Sequence, residues 1–191
     1  SMLFMTRIIA GIAGSLKLAS PAKTTRPTSD RIRESIFSRL DARDLVDGAR
    51  VLDLYAGTGA LALEAVSRGA TSAWMVERDG KAAAVCVANA RLVQKSLEKE
   101  EVEAETKVVN KAVSSFLASN TDEFNLVFID PPYEVNNDEV VENLTELKLA
   151  KDTVVVVERS SRTDAPVWPA GFELEETKDY GDTVVYWLSV S

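Results

Sequence analysis

Between residues 50 and 158, short apolar runs alternate with longer stretches whose apolar residues recur every three or four positions. The first kind predicts strands over 51–54, 72–77, 106–109, 125–130 and 154–158. The second predicts helices over 60–68, 80–97, 113–118 and 139–147. Gly69 ends the first of these helices, and Val140, Val141, Leu144 and Leu147 form the inward stripe of the last. Strands alternating with helices imply a parallel sheet covered on both faces. The pattern changes near the end, where strand-like runs over 172–177 and 183–190 join through Tyr180-Gly181-Asp182. An antiparallel hairpin is therefore expected to close the sheet. Upstream, residues 7–13 and 16–19 around Gly14-Ser15 predict a small hairpin. A helix follows, with Thr28 as N-cap, Asp30 in the first turn and Ile32, Ile36, Phe37 and Leu40 at helical spacing. Arg31, Arg33 and Arg39 occupy its other positions. The acidic stretch 98–105 reads as a solvated helix end and loop. Cys86, Phe116, Phe124, Phe128 and Trp74 read as core. Trp168, between Pro166 and Pro169, is given no function.

Composition narrows the function. The 191 residues are 46% hydrophobic and 27% charged, enough for one globular domain with a sizeable core. Net charge is −8, which argues against a non-specific nucleic-acid coat protein. The charge is uneven, however: residues 1–40 carry a net +5 and residues 41–191 a net −13. The expected organisation is a basic N-terminal extension over 1–40 packed on a main domain over 41–191, able to present a local anion-binding face. With no histidine, a Ser-His-Asp triad, a His-ligated zinc and a His base are all excluded. The single Cys86 excludes an internal disulfide and a multi-cysteine metal site, and no metal is expected. No apolar stretch approaches the roughly 20 residues of a membrane span. No signal-peptide pattern opens the chain, and the expected location is the cytoplasm.

The first strand ends in Asp53-Leu54-Tyr55-Ala56-Gly57-Thr58-Gly59 and opens a helix. Two glycines let the backbone turn tightly and let a ligand approach with no Cβ in the way. In an open α/β sheet such a loop lies at the ligand crevice. Residues 57–62 also match the dinucleotide fingerprint G-x-G-x-x-G/A, so a nicotinamide- or flavin-dependent oxidoreductase is a competing reading. Asp53 weighs against it, because its carboxylate would repel a pyrophosphate and instead suits a ligand's amino group. Glu77, 24 residues after Asp53, ends the second strand where an acid can accept both hydroxyls of a ribose. That feature serves either cofactor.

A second motif decides between them. The apolar run 125–129 stops at Asp130-Pro131-Pro132-Tyr133. Two prolines donate nothing to a ladder and fix φ, giving a stiff corner. Asp130 and the carbonyl of Pro131 are two acceptors, and Tyr133 offers a flat face on which a base can stack. This set suits an exocyclic amine on a planar ring. Holding both hydrogens localises the nitrogen lone pair toward a methyl donor. The product cation is acidic, so no strong base is needed. Positioning and electrostatic matching supply the rate.

The segments DLYAGTGALALEAVSRGA (53–70), FIDPPY (128–133) and RPTSDRIRESIFSRL (26–40) together resemble the bacterial 16S ribosomal RNA guanine-N2 methyltransferases. The opening RIIAGIAGSLKL (7–18) and the closing YGDT (180–183) fit the same family. The resemblance implies a Rossmann-like class I methyltransferase, with a seven-stranded, mostly parallel sheet, an antiparallel last strand and helices on both faces. It implies S-adenosylmethionine as cofactor and N2-methylguanine in small-subunit rRNA as product, with the substrate in a ribosomal subunit or assembly intermediate and the enzyme a monomer. It places Asp53, Tyr55, Gly57, Thr58 and Gly59 around the methionine part, Glu77 and Arg78 at the ribose, and Lys111 and Ala112 at the adenine. Asp130, Pro131, Pro132 and Tyr133 would hold the guanine. Arg26 and Thr28 would lie near the cofactor and the mouth of the site. The hairpin is less basic than the family's usual one, so RNA grip would rest on Arg7, Lys17, Lys23, Arg26, Arg31, Arg33 and Arg39. A DNA amino-methyltransferase shares the proline-motif logic but needs a sequence-reading segment for which little chain remains. A small-molecule or protein-glutamine methyltransferase leaves the basic front end unexplained. An idle RNA-binding module makes no use of Asp130.

Overall fold

A computed structural model of the protein describes residues 3–21 and 30–191. It opens with an antiparallel hairpin, β1 (Leu3–Arg7) and β2 (Lys17–Pro21), and a helix, α1 (Asp30–Ala42). Parallel strands β3 (Arg50–Leu54), β4 (Ser72–Val76), β5 (Glu105–Val109), β6 (Phe124–Ile129) and β7 (Leu149–Ser160) follow. They are connected by α2 (Ala60–Ser67), α3 (Gly80–Lys99), α4 (Val113–Ser119) and α5 (Asn137–Glu146). The chain ends in β8 (Phe172–Asp179) and β9 (Thr183–Val190). The main sheet has seven strands in the order β5-β4-β3-β6-β7-β9-β8, and β9 runs antiparallel to both of its neighbours. Among the described residues no helix is long and apolar enough to cross a membrane.

Both faces of the central strands are buried, which is why those strands are continuous apolar runs rather than alternating ones. Val51, Phe128 and Val156 point to one face, where they join Ile36, Phe37 and Leu40 of α1 and Leu63 of α2. Ile8 and Leu18 belong to that same cluster, so the N-terminal hairpin is tied into the core. Leu52, Val127 and Val155 point the other way, onto Phe116 of α4 and Val140 and Leu144 of α5. The chain runs outward through β3, β4 and β5, then returns to place β6 beside β3. This reversal is the topological switch at which open α/β sheets bind ligands.

The boundaries differ from the sequence reading in specific places. The hairpin strands lie at 3–7 and 17–21 rather than 7–13 and 16–19. Gly11 (φ +86°) and Ser15 (φ +70°) break the extended run between them. Glu64 captures the amides of Ile9 and Ala10 at 2.8 and 3.1 Å, and Ser67 Oγ captures that of Ala13 at 2.9 Å. β7 extends well beyond its apolar centre, because Arg159 and Ser160 still pair with β9. Trp74 is only partly buried: its ring packs on Phe124 and its Nε1 donates to Glu105 Oε1 at 2.6 Å. Val141 is likewise only partly buried, while Asn143 beside it is buried. Trp168 stacks edge-on against Tyr186 at 5.2 Å between ring centroids.

Candidate active site

Because β3, β4, β5 and β6 are parallel, the segments that leave them all emerge at one edge of the sheet. The 55–59, 77–79, 110–112 and 130–133 segments are thereby brought together. The register Leu54↔Ile129 places Tyr55 and Asp130 side by side as the first residues beyond the sheet.

The glycine turn is held from three directions. Tyr55 adopts φ +62°, a left-handed conformation that persists in a non-glycine residue only where its surroundings impose it. Its hydroxyl accepts a 2.5 Å hydrogen bond from Asn143 Nδ2, and the amide of Ala56 donates to Val76 O at 2.9 Å. Burial pushes the Tyr55 phenol above its ordinary pKa. Glu77 Oε1 accepts the amide of Gly57 at 2.9 Å while Oε2 accepts that of Asp79 at 2.7 Å. The third hold is Asn89, a buried residue of α3. Its Nδ2 donates to Thr58 O at 3.0 Å and to Ala19 O at 2.9 Å, and its Oδ1 accepts the Ala19 amide at 2.9 Å. One side chain thus joins the glycine turn to β2.

Gly59 has φ +87° and no room for a side chain: a Cβ there would lie 2.8 Å from Cys86 Sγ and 3.1 Å from Met75 Sδ. Gly57 is the opposite case. It has φ +59°, and a Cβ there would meet nothing within 4 Å among the described residues. Cys86 is buried, and burial pushes its thiol up to about 12.

Asp53 is 1% exposed. Its Oδ2 accepts the Ala62 amide at 3.2 Å, and its Oδ1 has no hydrogen-bond partner among the described residues. Burial raises the carboxyl well above the ordinary aspartate pKa, and the negative charges of Asp130 and Glu77 push it the same way. A buried carboxylate with an unused oxygen favours a cationic or hydrogen-donating partner.

On the far side of the switch, Asp130, Pro131 and Pro132 are partly buried, while Tyr133 is 73% exposed. The Val135 amide donates to Pro132 O at 3.1 Å, closing the corner. Asn110 Nδ2 spans Glu77 O and Arg78 O, each at 2.9 Å, and so fixes the turn carrying Arg78 beside Lys111 and Ala112. Arg78 and Lys111 are exposed and Ala112 is half-buried.

The basic residues divide. Arg7 and Lys17 are exposed and face each other as cross-strand partners in the hairpin, and Arg31 is exposed at the start of α1. Arg33 is a correction to the RNA set. It is 1% exposed, donates to Arg7 O and Asp30 Oδ1, and faces buried Glu64 at 3.8 Å. Helical geometry explains it, since position 33 shares a stripe with Ile36, Phe37 and Leu40. Arg39 is partly engaged, paired with Glu176 and stacked 5.0 Å over Trp187. Lys23, Arg26 and Thr28 lie outside the described residues. Sequence reasoning misses Asn89, Glu64, Asn143 and Arg159. Each is a polar residue inside an apolar stripe or strand, and that interruption is the available signal.

The strand order with its reversed last strand, a glycine turn after β3 and a proline corner after β6 define a class I methyltransferase. Residues 6–189 match a family model described as conserved hypothetical protein 95. The chain is 36% identical over 178 residues to ribosomal RNA small subunit methyltransferase D of Escherichia coli K12, covering 92% of this chain and 85% of that one. It belongs to that family of ribosomal RNA methyltransferases. A solved hypothetical protein from Thermus thermophilus superposes with a TM-score of 0.79 at 27% identity, covering 95% of this chain and 98% of that one. The magnesium protoporphyrin IX methyltransferase of Synechocystis shares the fold at a TM-score of 0.61 and 15% identity, over 84% of this chain and 79% of that one.

Proposed function

We propose that the protein transfers a methyl group from S-adenosylmethionine to the exocyclic N2 amine of a guanine in 16S rRNA, acting in the cytoplasm as a monomer on a small subunit or its assembly intermediate. The observation that carries this reading is the pairing of two different carboxylates across the β3–β6 switch. Asp53 is buried with one oxygen unused, and Asp130 lies within its field on a proline-stiffened corner.

The residues fit the cofactor. Asp53 Oδ1 would accept from the ammonium of its amino-acid part, and the open space over Gly57 leaves room beside that group. Glu77 uses one position on each oxygen for backbone amides. A carboxylate offers about four, which leaves acceptors for the two ribose hydroxyls. Lys111 and Ala112 would border the adenine, with Arg78 beside the ribose. When bound, S-adenosylmethionine supplies an electrophilic methyl on a sulfonium.

The chain's own groups do the rest. Asp130 accepts one hydrogen of the guanine amine and the Pro131 carbonyl accepts the other, turning the nitrogen lone pair toward the donor. Tyr133, exposed at the rim, stacks on a base flipped from the RNA, a displacement that costs a few kcal/mol. The carboxylate of Asp130 balances positive charge as it develops on the amine. Residues 1–40 act as the RNA-facing extension and 41–191 as the methyltransferase domain. Arg7 and Lys17 are like charges directly opposite on a hairpin, an arrangement that is unfavourable alone and relieved by a phosphate.

Incubation with tritiated S-adenosylmethionine and undermethylated small-subunit particles, followed by nucleoside identification, tests the reading. Label in N2-methylguanosine is expected. Label in another nucleoside, or in no RNA, overturns it.

A further inference from the structure

A proline corner has an anchoring problem. Pro131 and Pro132 have no N–H, so neither can donate to a neighbouring strand, and the corner is fixed from its downstream end. The downstream end is held by Arg159, a buried residue at the edge of β7 and 7% exposed. Its Nη2 donates to Val135 O at 3.0 Å and its Nε to Asn137 Oδ1 at 3.1 Å. Val135 in turn donates its amide to Pro132 O at 3.1 Å. An unbroken chain of hydrogen bonds therefore runs from the guanidinium to the second proline. Asn137 extends it sideways, donating from Nδ2 to Asp164 O at 2.7 Å in the loop after β7.

The charge is retained against a cost. Burial lowers the guanidinium's pKa, while the fields of Tyr186, Tyr55 and Asp130 favour the charged form. The planar fork of an arginine spans two acceptors at fixed separation, and a lysine ammonium cannot copy that geometry.

We infer that Arg159 is a positioning residue for methyl transfer: through Val135 and Asn137 it sets the placement of the 130–133 corner against the glycine turn. The inference rests on the methyltransferase reading above. Because it acts through the corner, Arg159 governs the chemical step and not cofactor capture. A displacement of about 1 Å at a reacting centre costs roughly 10²-fold in rate.

The test compares Arg159→Met, Arg159→Lys and Asn137→Ala with the parent enzyme. It reads kcat and KM for rRNA, the S-adenosylmethionine dissociation constant, and hydrogen exchange at the Val135 amide, which is bonded to Pro132 O. Arg159→Met is expected to lose about 10²-fold in kcat, with cofactor affinity within threefold of the parent and faster exchange at the Val135 amide. Arg159→Lys is expected to recover only part of kcat, and Asn137→Ala to lose about tenfold. Unchanged kcat in Arg159→Met, or a parallel fall in cofactor affinity, overturns the inference. If the parent enzyme methylates no RNA, the functional reading falls by itself. Exchange then still decides: unaltered protection of Val135 in Arg159→Met and Arg159→Lys overturns the clamp, and lost protection upholds it.

Discussion

The side-chain amide of Asn89 donates to the carbonyl of Thr58 at 3.0 Å while pairing with both backbone groups of Ala19. It treats β2 as a strand would and holds the glycine turn with its remaining hydrogen. Replacing it with leucine leaves three backbone groups without their partner. The expected result is a stability loss of about 1–3 kcal/mol in urea unfolding and at least a tenfold weaker S-adenosylmethionine affinity by calorimetry. Asn89→Asp, which keeps the acceptor and loses both donors, is expected to weaken the cofactor in the same direction.

Asp53 links cofactor binding to pH. Its carboxyl is raised above the ordinary value of 3.8 in the folded state, so folding favours the protonated form. That contribution to stability is fully present below the ordinary value. It is lost as pH rises from there through the raised one. Asp53→Asn keeps an acceptor for the Ala62 amide and removes the ionisation. It is expected to be at least as stable as the parent at neutral pH and to show a flatter stability profile as pH rises from 3.8. Cofactor affinity should behave oppositely: the parent binds more tightly as pH rises and Asp53 ionises, and Asp53→Asn binds weakly at every pH. Titration calorimetry across pH checks both.

Gly59 is constrained twice, by φ +87° and by the sulfur atoms of Cys86 and Met75. Gly59→Ala is expected to cost about 1–3 kcal/mol. Adding Cys86→Ala removes the 2.8 Å clash and should restore part of the loss. Full restoration in thermal melts would mean that the left-handed backbone contributes nothing.

The basic residues of the N-terminal region separate by salt dependence. Arg7→Ala, Lys17→Ala and Arg31→Ala are expected to weaken rRNA binding. Each should also lower the slope of log affinity against log salt by about 1 for every phosphate it no longer neutralises. Arg33→Ala removes the buried guanidinium's hydrogen bonds to Arg7 O and Asp30 Oδ1, while Glu64 keeps Arg68, and is expected to destabilise the fold by about 1–3 kcal/mol. Filter binding over a salt series, with melting curves alongside, distinguishes the two groups.

Much of this architecture is legible in the sequence because the local signals agree. The runs ending at Leu54 and Ile129 are apolar on both faces because the sheet is covered on both. Gly57, Gly59, Pro131 and Pro132 then mark where those strands must stop. The polar residues that hold the two turns are not legible as such. Asn89 sits among Cys86, Ala90 and Val93 on the buried stripe of α3, and its partners Ala19 and Thr58 are remote in sequence. Arg159 follows Glu158 at the end of a run of valines, and only the fold reveals that β7 brings it under the loop following β6. Arg33 invites a reading by its charge, although its spacing to Ile36, Phe37 and Leu40 places it inward. Periodicity reports which face a residue lies on, and charge alone does not.

The most direct measurement compares Asp130→Ala with the parent enzyme for tritium transfer to undermethylated small-subunit particles, with S-adenosylmethionine affinity measured on the same samples. Transfer is expected to fall by about 10²–10³-fold while cofactor affinity stays within a few fold. Transfer within threefold of the parent, or a loss of transfer fully matched by a loss of cofactor binding, would contradict the assignment of Asp130 to the methyl-transfer step.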